Sequence, residues 1–290
     1  MKYLNVGCGD RYHPDWDNID ISPRGTNVTA YDITIGLPLA DNSYDVVFHS
    51  HLLEHIRRER ALFFMKECRR VLKPGGILRV VIPDLEKICR LYLESLDAAL
   101  NGDEIGAYNY EWLMLEFYDQ TVREHTGGAM KEYLNRSIIP NEPFVLQRIG
   151  EEGRKLISSF REKQNKSGGR TNYEPALSKI MLYLPMYCSR LLNKIRYFAL
   201  FLFLGSHDLK ALDIGRFRLG GEVHHWMYDR YSLANLILAS GFNNPFLQSA
   251  EKSLVPNWSA FNLDTLADGT VVKPDSLYME AVKSFVIGNS

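Results

Sequence analysis

Cysteine is scarce in this chain: Cys8, Cys68, Cys89 and Cys188 are scattered and form no CxxC pair. A disulfide framework and a cysteine zinc site are therefore not expected, and a reducing, cytoplasmic setting is. A surplus of either charge is also missing. Lys+Arg 34 against Asp+Glu 35 leaves a formal net charge of −1, so no broad basic face is on offer to nucleic acid. Long hydrophobic runs are absent as well. The longest, 197–204, follows Arg190, Lys194 and Arg196 and falls far short of the ~20 apolar residues a membrane span needs. There are no internal repeats and no low-complexity tracts, and the polar stretch 163–170 reads as an exposed loop. What remains is 290 residues with 46% hydrophobic content, enough to bury the core of one enlarged domain or of one domain plus an elaboration.

The opening residues carry the clearest signal. Lys2-Tyr3-Leu4-Asn5-Val6 runs as a strand into Gly7-Cys8-Gly9, a turn that can adopt φ > 0 and bare its backbone amides at a strand's carboxyl end. Open α/β sheets bind ligands there. With the strand beginning at residue 2, no secretory leader or transit peptide is expected ahead of it. A dinucleotide fingerprint would require a third glycine, but Tyr12 holds that position and Asp10 stands where a diphosphate would come. Only eleven residues separate Val6 from Asn18, too few for a full crossover helix. The turn suits a ligand with an amino-acid end and no phosphates.

Strands are expected near 2–6, 17–21, 28–31, 44–49 and 76–82, alternating with helices, which is the pattern of a parallel sheet. The spacing predicts a helix over Leu52–Leu72, stopped at Lys73-Pro74-Gly75-Gly76. Asp84 is placed to cap the next helix. From about 100 to 217 the chain turns helical and aromatic. A helix over Asp229–Ser240, stopped by Gly241, then leads to strands near 245–250 and 276–283. This organisation predicts a core of residues 1–99 and 218–290, with 100–217 as a helical insertion that caps the substrate side.

Asp20 ends the second expected strand, where a carboxylate can accept both hydroxyls of a ribose. Asp32 ends the third, placed for an adenine amino group, with Ile33 against the ring. Both aspartates could instead cap turns.

Leu4-Asn5-Val6-Gly7-Cys8-Gly9-Asp10, Asn18-Ile19-Asp20, Leu37 to Val47, Leu53-Glu54-His55-Ile56 and Val71 to Gly76 occur in this order. Over residues 1–90 the chain thereby resembles a class I S-adenosylmethionine-dependent methyltransferase of the type 11 group. Gly221 to Asp229 and Pro274 to Ala281 resemble methyltransferases predicted among bacterial surface-polysaccharide genes. The resemblance implies an α/β, Rossmann-like, seven-stranded and mostly parallel sheet. Helices should cover both faces, the last strand should be antiparallel, and the helical insertion should precede the last two strands. It further implies S-adenosyl-L-methionine as cofactor, held by Val6, Gly7, Cys8, Gly9, Asp20, Ile21, Asp32, Ile33 and His49. The acceptor would be a small molecule, glycan or glycolipid. Asn5 departs from the pattern, since many members carry an acid there.

Methyl transfer to oxygen needs an aligned hydroxyl and a group to take its proton, a task that suits histidine near neutral pH. On the expected helix His51 and His55 share a face one turn apart. His55 is the first candidate base, His51 the second, and each could instead merely line the helix. One of His224 and His225, with Trp226, is a candidate wall of the acceptor pocket, His225 being counted with the catalytic candidates, while Asp229 is expected to cap a helix. His51-Leu52-Leu53-Glu54-His55 also fits the H-x-x-E-H pattern of inverted zinc peptidases, but the five ordered motifs outweigh five residues with two free positions, and no metal is expected. A cofactor-binding module without catalysis, engaging a partner through the insertion, is the other alternative. The basic and apolar stretch 186–204 is a candidate for peripheral contact with the inner membrane.

Overall fold

The computed structural model describes residues 1–23, 25–166 and 177–285. Among the described residues seven strands form one sheet: β1 (Tyr3–Val6), β2 (Asp17–Asp20), β3 (Val28–Ala30), β4 (Tyr44–Ser50), β5 (Leu72–Pro83), β6 (Asn243–Gln248) and β7 (Ser276–Val282). Their order is β3-β2-β1-β4-β5-β7-β6. β1 to β5 pair in parallel, while β7 runs antiparallel to both β5 and β6. This is the mostly parallel α/β sheet the sequence predicted.

The alternation of side chains along the strands divides the core in two. Leu4, Val6, Val47, Leu78, Val80, Ile82 and Met279 face one way. They pack against Phe64, Met65 and Cys68 of α1 (Arg58–Val71) and Leu233 and Ile237 of α8 (Arg230–Ala239). Val46, Phe48, Ile77, Val81 and Tyr278 face the other way, onto Trp16, Val255, Trp258 and Leu263. That second face is covered by the β1–β2 connection and by the loop between β6 and β7.

Polar side chains hold these coverings in place. Asn5, fully buried, donates to the carbonyl of Arg11 at 2.9 Å, and Asn18 donates to those of Trp16 and His13. The short β1–β2 connection is thus knitted to the sheet without the crossover helix that its length forbids. Arg79, buried on β5, pairs with Asp264 and Glu280 at 2.7 Å each and donates to the carbonyls of Ser249 and Lys252. Its guanidinium also lies over the Trp258 ring. One cation therefore pins the β6–β7 loop against the sheet, and both of its buried carboxylate partners are satisfied.

Between β5 and α8 the chain is helical. Asp84 caps α2 (Leu85–Leu100) by accepting from the Lys87 amide, as expected. Then α3 (Glu104–Met114) passes through a π turn (Leu115–Asp119) into α4 (Gln120–Val122). Next come α5 (Gly128–Leu134), α6 (Glu142–Lys166), bent at Gly150, and α7 (Leu177–Arg218), broken at Gly205. Trp112, Tyr133, Leu134, Ile139, Val145 and Ile157 give this region an apolar core of its own. Beside it, buried Arg148 pairs with Glu116 at 2.7 Å.

The segment after β4 departs from expectation. His51 has φ 50°, residues Leu53–His55 form a single 3-10 turn, and α1 begins only at Arg58. His51 and His55 therefore do not share a helix face.

Candidate active site

A cleft of about 570 Å³ opens at the carboxyl ends of β1, β2 and β4. Gly7, Cys8, Gly9, Asp20 and Ile21 line one part of it, and Ser50, His51, Leu52 and His55 line another. Lys273, Asp264, Glu152 and Glu222 stand around the remainder. Its size is that of a small-molecule site.

The glycine turn is built as the sequence suggests. The amides of Gly7 and Cys8 donate to the Ile19 carbonyl, locking β1 to β2. Gly7 and Gly9 both have positive φ, 65° and 53°. A side chain at Gly7 would strike Leu52, whereas at Gly9 it would meet nothing within 4 Å. The space beside Gly9 is thus open for a ligand to lie against bare peptide. Asp20 accepts from the Gly9 amide at 2.9 Å and from the Ser22 amide at 2.8 Å. One carboxylate therefore orients the turn and the end of β2 together. Burial pushes the Cys8 thiol up to about 12, so it stays protonated. Ile21 is largely exposed at the β2 end.

Four of the expected cofactor contacts sit elsewhere, among them Val6, which is fully buried on the helix-facing side of β1 and does not line the cleft. Asp32 caps a 3-10 turn (Ile33–Ile35), accepting from the amide and hydroxyl of Thr34. Neither Asp32 nor Ile33 lines the cleft; the capping geometry that aspartate favours in turns claims the side chain. His49 lies on the helix-facing side of β4, fully buried against Phe64 at 5.3 Å between ring centroids. Strand alternation turns it away from the cleft, and burial holds its pKa down near 3.

At the β4 end the side chains converge on a residue that the motif reading used only as part of a pattern. Glu54 is buried, and neither carboxyl oxygen has a hydrogen-bond partner. It lies 3.4 Å from His51 Nδ1 and 4.0 Å from His55 Nε2. His51 Nε2 is 2.7 Å from the Ser276 hydroxyl. His224 packs edge-on against His55 with 4.6 Å between ring centroids.

The choice of His225 is corrected by the same geometry. The amides of His225 and Trp226 donate to the Glu54 carbonyl, and that of His224 to the Gln120 carbonyl. This backbone docking sends the His224 ring inward and leaves His225 outside the cleft, half-buried. Trp226 is exposed and carries the Arg58 guanidinium over its ring. Asp229 caps α8 in a reciprocal capping box with Ser232.

Burial is the dominant influence on the cluster's titration. It raises Glu54 to about 8 and lowers His55 to about 4, with His51 and His224 also held well below the ordinary histidine value. Near neutral pH the imidazoles are uncharged and able to accept protons, and the carboxyl is largely protonated.

A cleft at the carboxyl ends of a seven-stranded, mostly parallel sheet, with antiparallel β7 inserted between β5 and the edge strand β6, places the fold in the α/β, Rossmann-like class. Residues 15–80 match the family described as "Methyltransferase domain", the type 11 group. A protein of Mycolicibacterium smegmatis, described as a "Probable S-adenosylmethionine-dependent methyltransferase", is 32% identical over 98 residues. That alignment covers 28% of this chain and 37% of the relative, so the chain spans little more than a third of the relative's length. Among solved structures, a SAM-dependent methyltransferase from Aquifex aeolicus is 20% identical over 29% of this chain and 57% of its own, with a TM-score of 0.24. A SAM-dependent methyltransferase from Thermotoga maritima is 25% identical over 32% and 50%, with a TM-score of 0.25.

Sequence reasoning used Glu54 only as part of a pattern and did not point to Asp264 or Lys273, which line the cleft. The Glu-His pair at 54–55 was the available signal; the others lie far from it along the chain.

Proposed function

We propose that this chain is an S-adenosylmethionine-dependent methyltransferase that methylates a hydroxyl of a sugar or glycoconjugate. The observation that carries this reading is the shared cleft: the glycine turn with Asp20 and the His51–His55 corner line one cavity. Bound S-adenosylmethionine supplies an activated methyl group, and the protein's task is alignment and proton removal. The open peptide at Gly9 and the Asp20 carboxylate suit the cofactor's nucleoside and amino-acid end, with Ile21 against the adenosine. Asp32 and Ile33, outside the cleft, contribute only by shaping the chain beyond β3.

The His51–His55 pair takes the acceptor's proton. Both rings border the cavity in uncharged form. Glu152 and Lys155 of α6, together with Gly221 and Glu222, bring polar groups to the rim on the acceptor side.

Among the described residues no helix is long and apolar enough to cross a membrane. Tyr197, Phe201, Leu202 and Phe203 of α7 are nonetheless exposed, which favours a lipid-linked acceptor at a membrane surface. The side chains of 186–194, the first part of the stretch singled out in the sequence, lie outside the described residues. Flotation with anionic liposomes tests this contact, and protein remaining wholly in the soluble fraction removes it.

The central test is release of S-adenosylhomocysteine when the protein is given S-adenosylmethionine and a panel of hydroxylated oligosaccharides. Acceptor-dependent release is expected. Cofactor binding without turnover on any acceptor would favour the non-catalytic module.

A further inference from the structure

Glu54, His55 and His224 each offer one ligating atom, and these atoms lie within 4.8 Å of one another. The three come from two separate segments, the 3-10 turn after β4 and the stretch before α8. They are held together by the amides of His225 and Trp226 on the Glu54 carbonyl. The set differs from the H-x-x-E-H arrangement, which needs both histidines one turn apart on a helix and would have used His51. A second observation points to a ligand. Glu54 is 1% exposed, and neither of its carboxyl oxygens has a hydrogen-bond partner. Leaving such groups unsatisfied is costly, and a metal ion is one standard remedy.

We infer that Glu54, His55 and His224 form a binding site for a divalent transition-metal ion of the zinc type. Two imidazoles and one carboxylate are an established donor set for zinc, with a further position left for water or substrate. Tetrahedral coordination at bond lengths of ~2.0–2.1 Å brings ligand atoms to about 3.4 Å from one another. The present spacing therefore closes by roughly an ångström through side-chain rotation. His55 lines the cleft, which gives an ion a path of entry.

The ion's role rests on the methyltransferase reading, although its binding does not. On that reading the two histidines divide the work. With the site loaded, His55 would be a ligand and the ion would supply Lewis-acid activation of the acceptor hydroxyl, leaving His51, 3.4 Å from Glu54, as the member of the pair that takes the proton.

The test uses the full chain, stripped with chelator and titrated with Zn²⁺ by calorimetry, alongside elemental analysis of the protein as purified. One equivalent of Zn²⁺ is expected. His224→Ala and Glu54→Gln should each weaken binding at least about tenfold, while His225→Ala, adjacent but outside the cluster, should bind as the wild type does. Circular dichroism monitors folding, and His224→Asn replaces His224→Ala should the latter not fold. Co²⁺ substitution gives an independent readout, with visible absorption of a four-coordinate site in the wild type that is lost in Glu54→Gln. Absence of stoichiometric binding, or binding unchanged in both ligand variants, overturns the inference. S-adenosylhomocysteine affinity measured on the same samples separates this failure from failure of the methyltransferase reading.

Discussion

Gly9→Ala separates a ligand cradle from a merely structural turn. Gly9 has φ 53°, and an added Cβ would meet no protein atom within 4 Å. The cost to the fold is then the left-handed strain alone, about 1–2 kcal/mol. For a chain of this size that lowers the melting temperature by about 2–8 °C. The added methyl would occupy the open space in the cleft where the cofactor must approach bare peptide. S-adenosylhomocysteine affinity should fall at least about tenfold, roughly 1.4 kcal/mol. Gly7→Ala should behave in the opposite way. Its Cβ would come to 2.5 Å from Leu52, so overpacking of about 1–3 kcal/mol adds to the same strain. Thermal melts and calorimetry on both variants make the comparison. A Gly9→Ala protein that binds S-adenosylhomocysteine as tightly as the wild type would refute the placement of the cofactor against this turn.

Asp20→Ala removes the acceptor for the Gly9 and Ser22 amides together with the proposed ribose contact. With charged hydrogen bonds contributing about 1.5–3 kcal/mol each, cofactor affinity should drop more than tenfold by calorimetry, and unchanged affinity would exclude the ribose role. His55→Ala should lower turnover far more than cofactor affinity; equal turnover in variant and wild type would remove His55 from the chemistry. Glu116→Ala leaves Arg148 buried without its carboxylate partner, at a cost of about 3–5 kcal/mol in denaturant unfolding, and a loss below about 1 kcal/mol would show that water reaches the guanidinium. Asp229→Ala removes one half of the capping box on α8 and should cost about 1 kcal/mol, a value that an unchanged unfolding midpoint would contradict.

The sheet was legible because β1, β4, β5 and β7 carry apolar runs bounded by turn residues, and the caps at Asp84 and Asp229 follow from local chemistry alone. The error after β4 has a local cause. Leu53, Ile56 and Leu62 fit a helical period, yet the left-handed backbone at His51 and the turn over Leu53–His55 delay the helix to Arg58. The stop at Lys73-Pro74-Gly75-Gly76 was placed correctly, but the chain passes straight into β5 there, which begins at Leu72. In the site, Gly7, Gly9, Asp20, His51 and His55 were readable because they cluster at strand ends. His224 and Glu54 meet only through backbone hydrogen bonds between segments 170 positions apart, and no local period reports such a contact. His49 and Asp32 were misplaced for opposite reasons, one by strand alternation and the other by its capping of a turn.

A crystal structure with S-adenosylhomocysteine bound tests the central claim most directly. Ribose hydroxyls are expected on the Asp20 carboxylate, the homocysteine end along Gly7–Gly9, and the sulfur facing the His51–His55 corner. Nucleoside density elsewhere, or a ligand whose sulfur points away from both histidines, would contradict it.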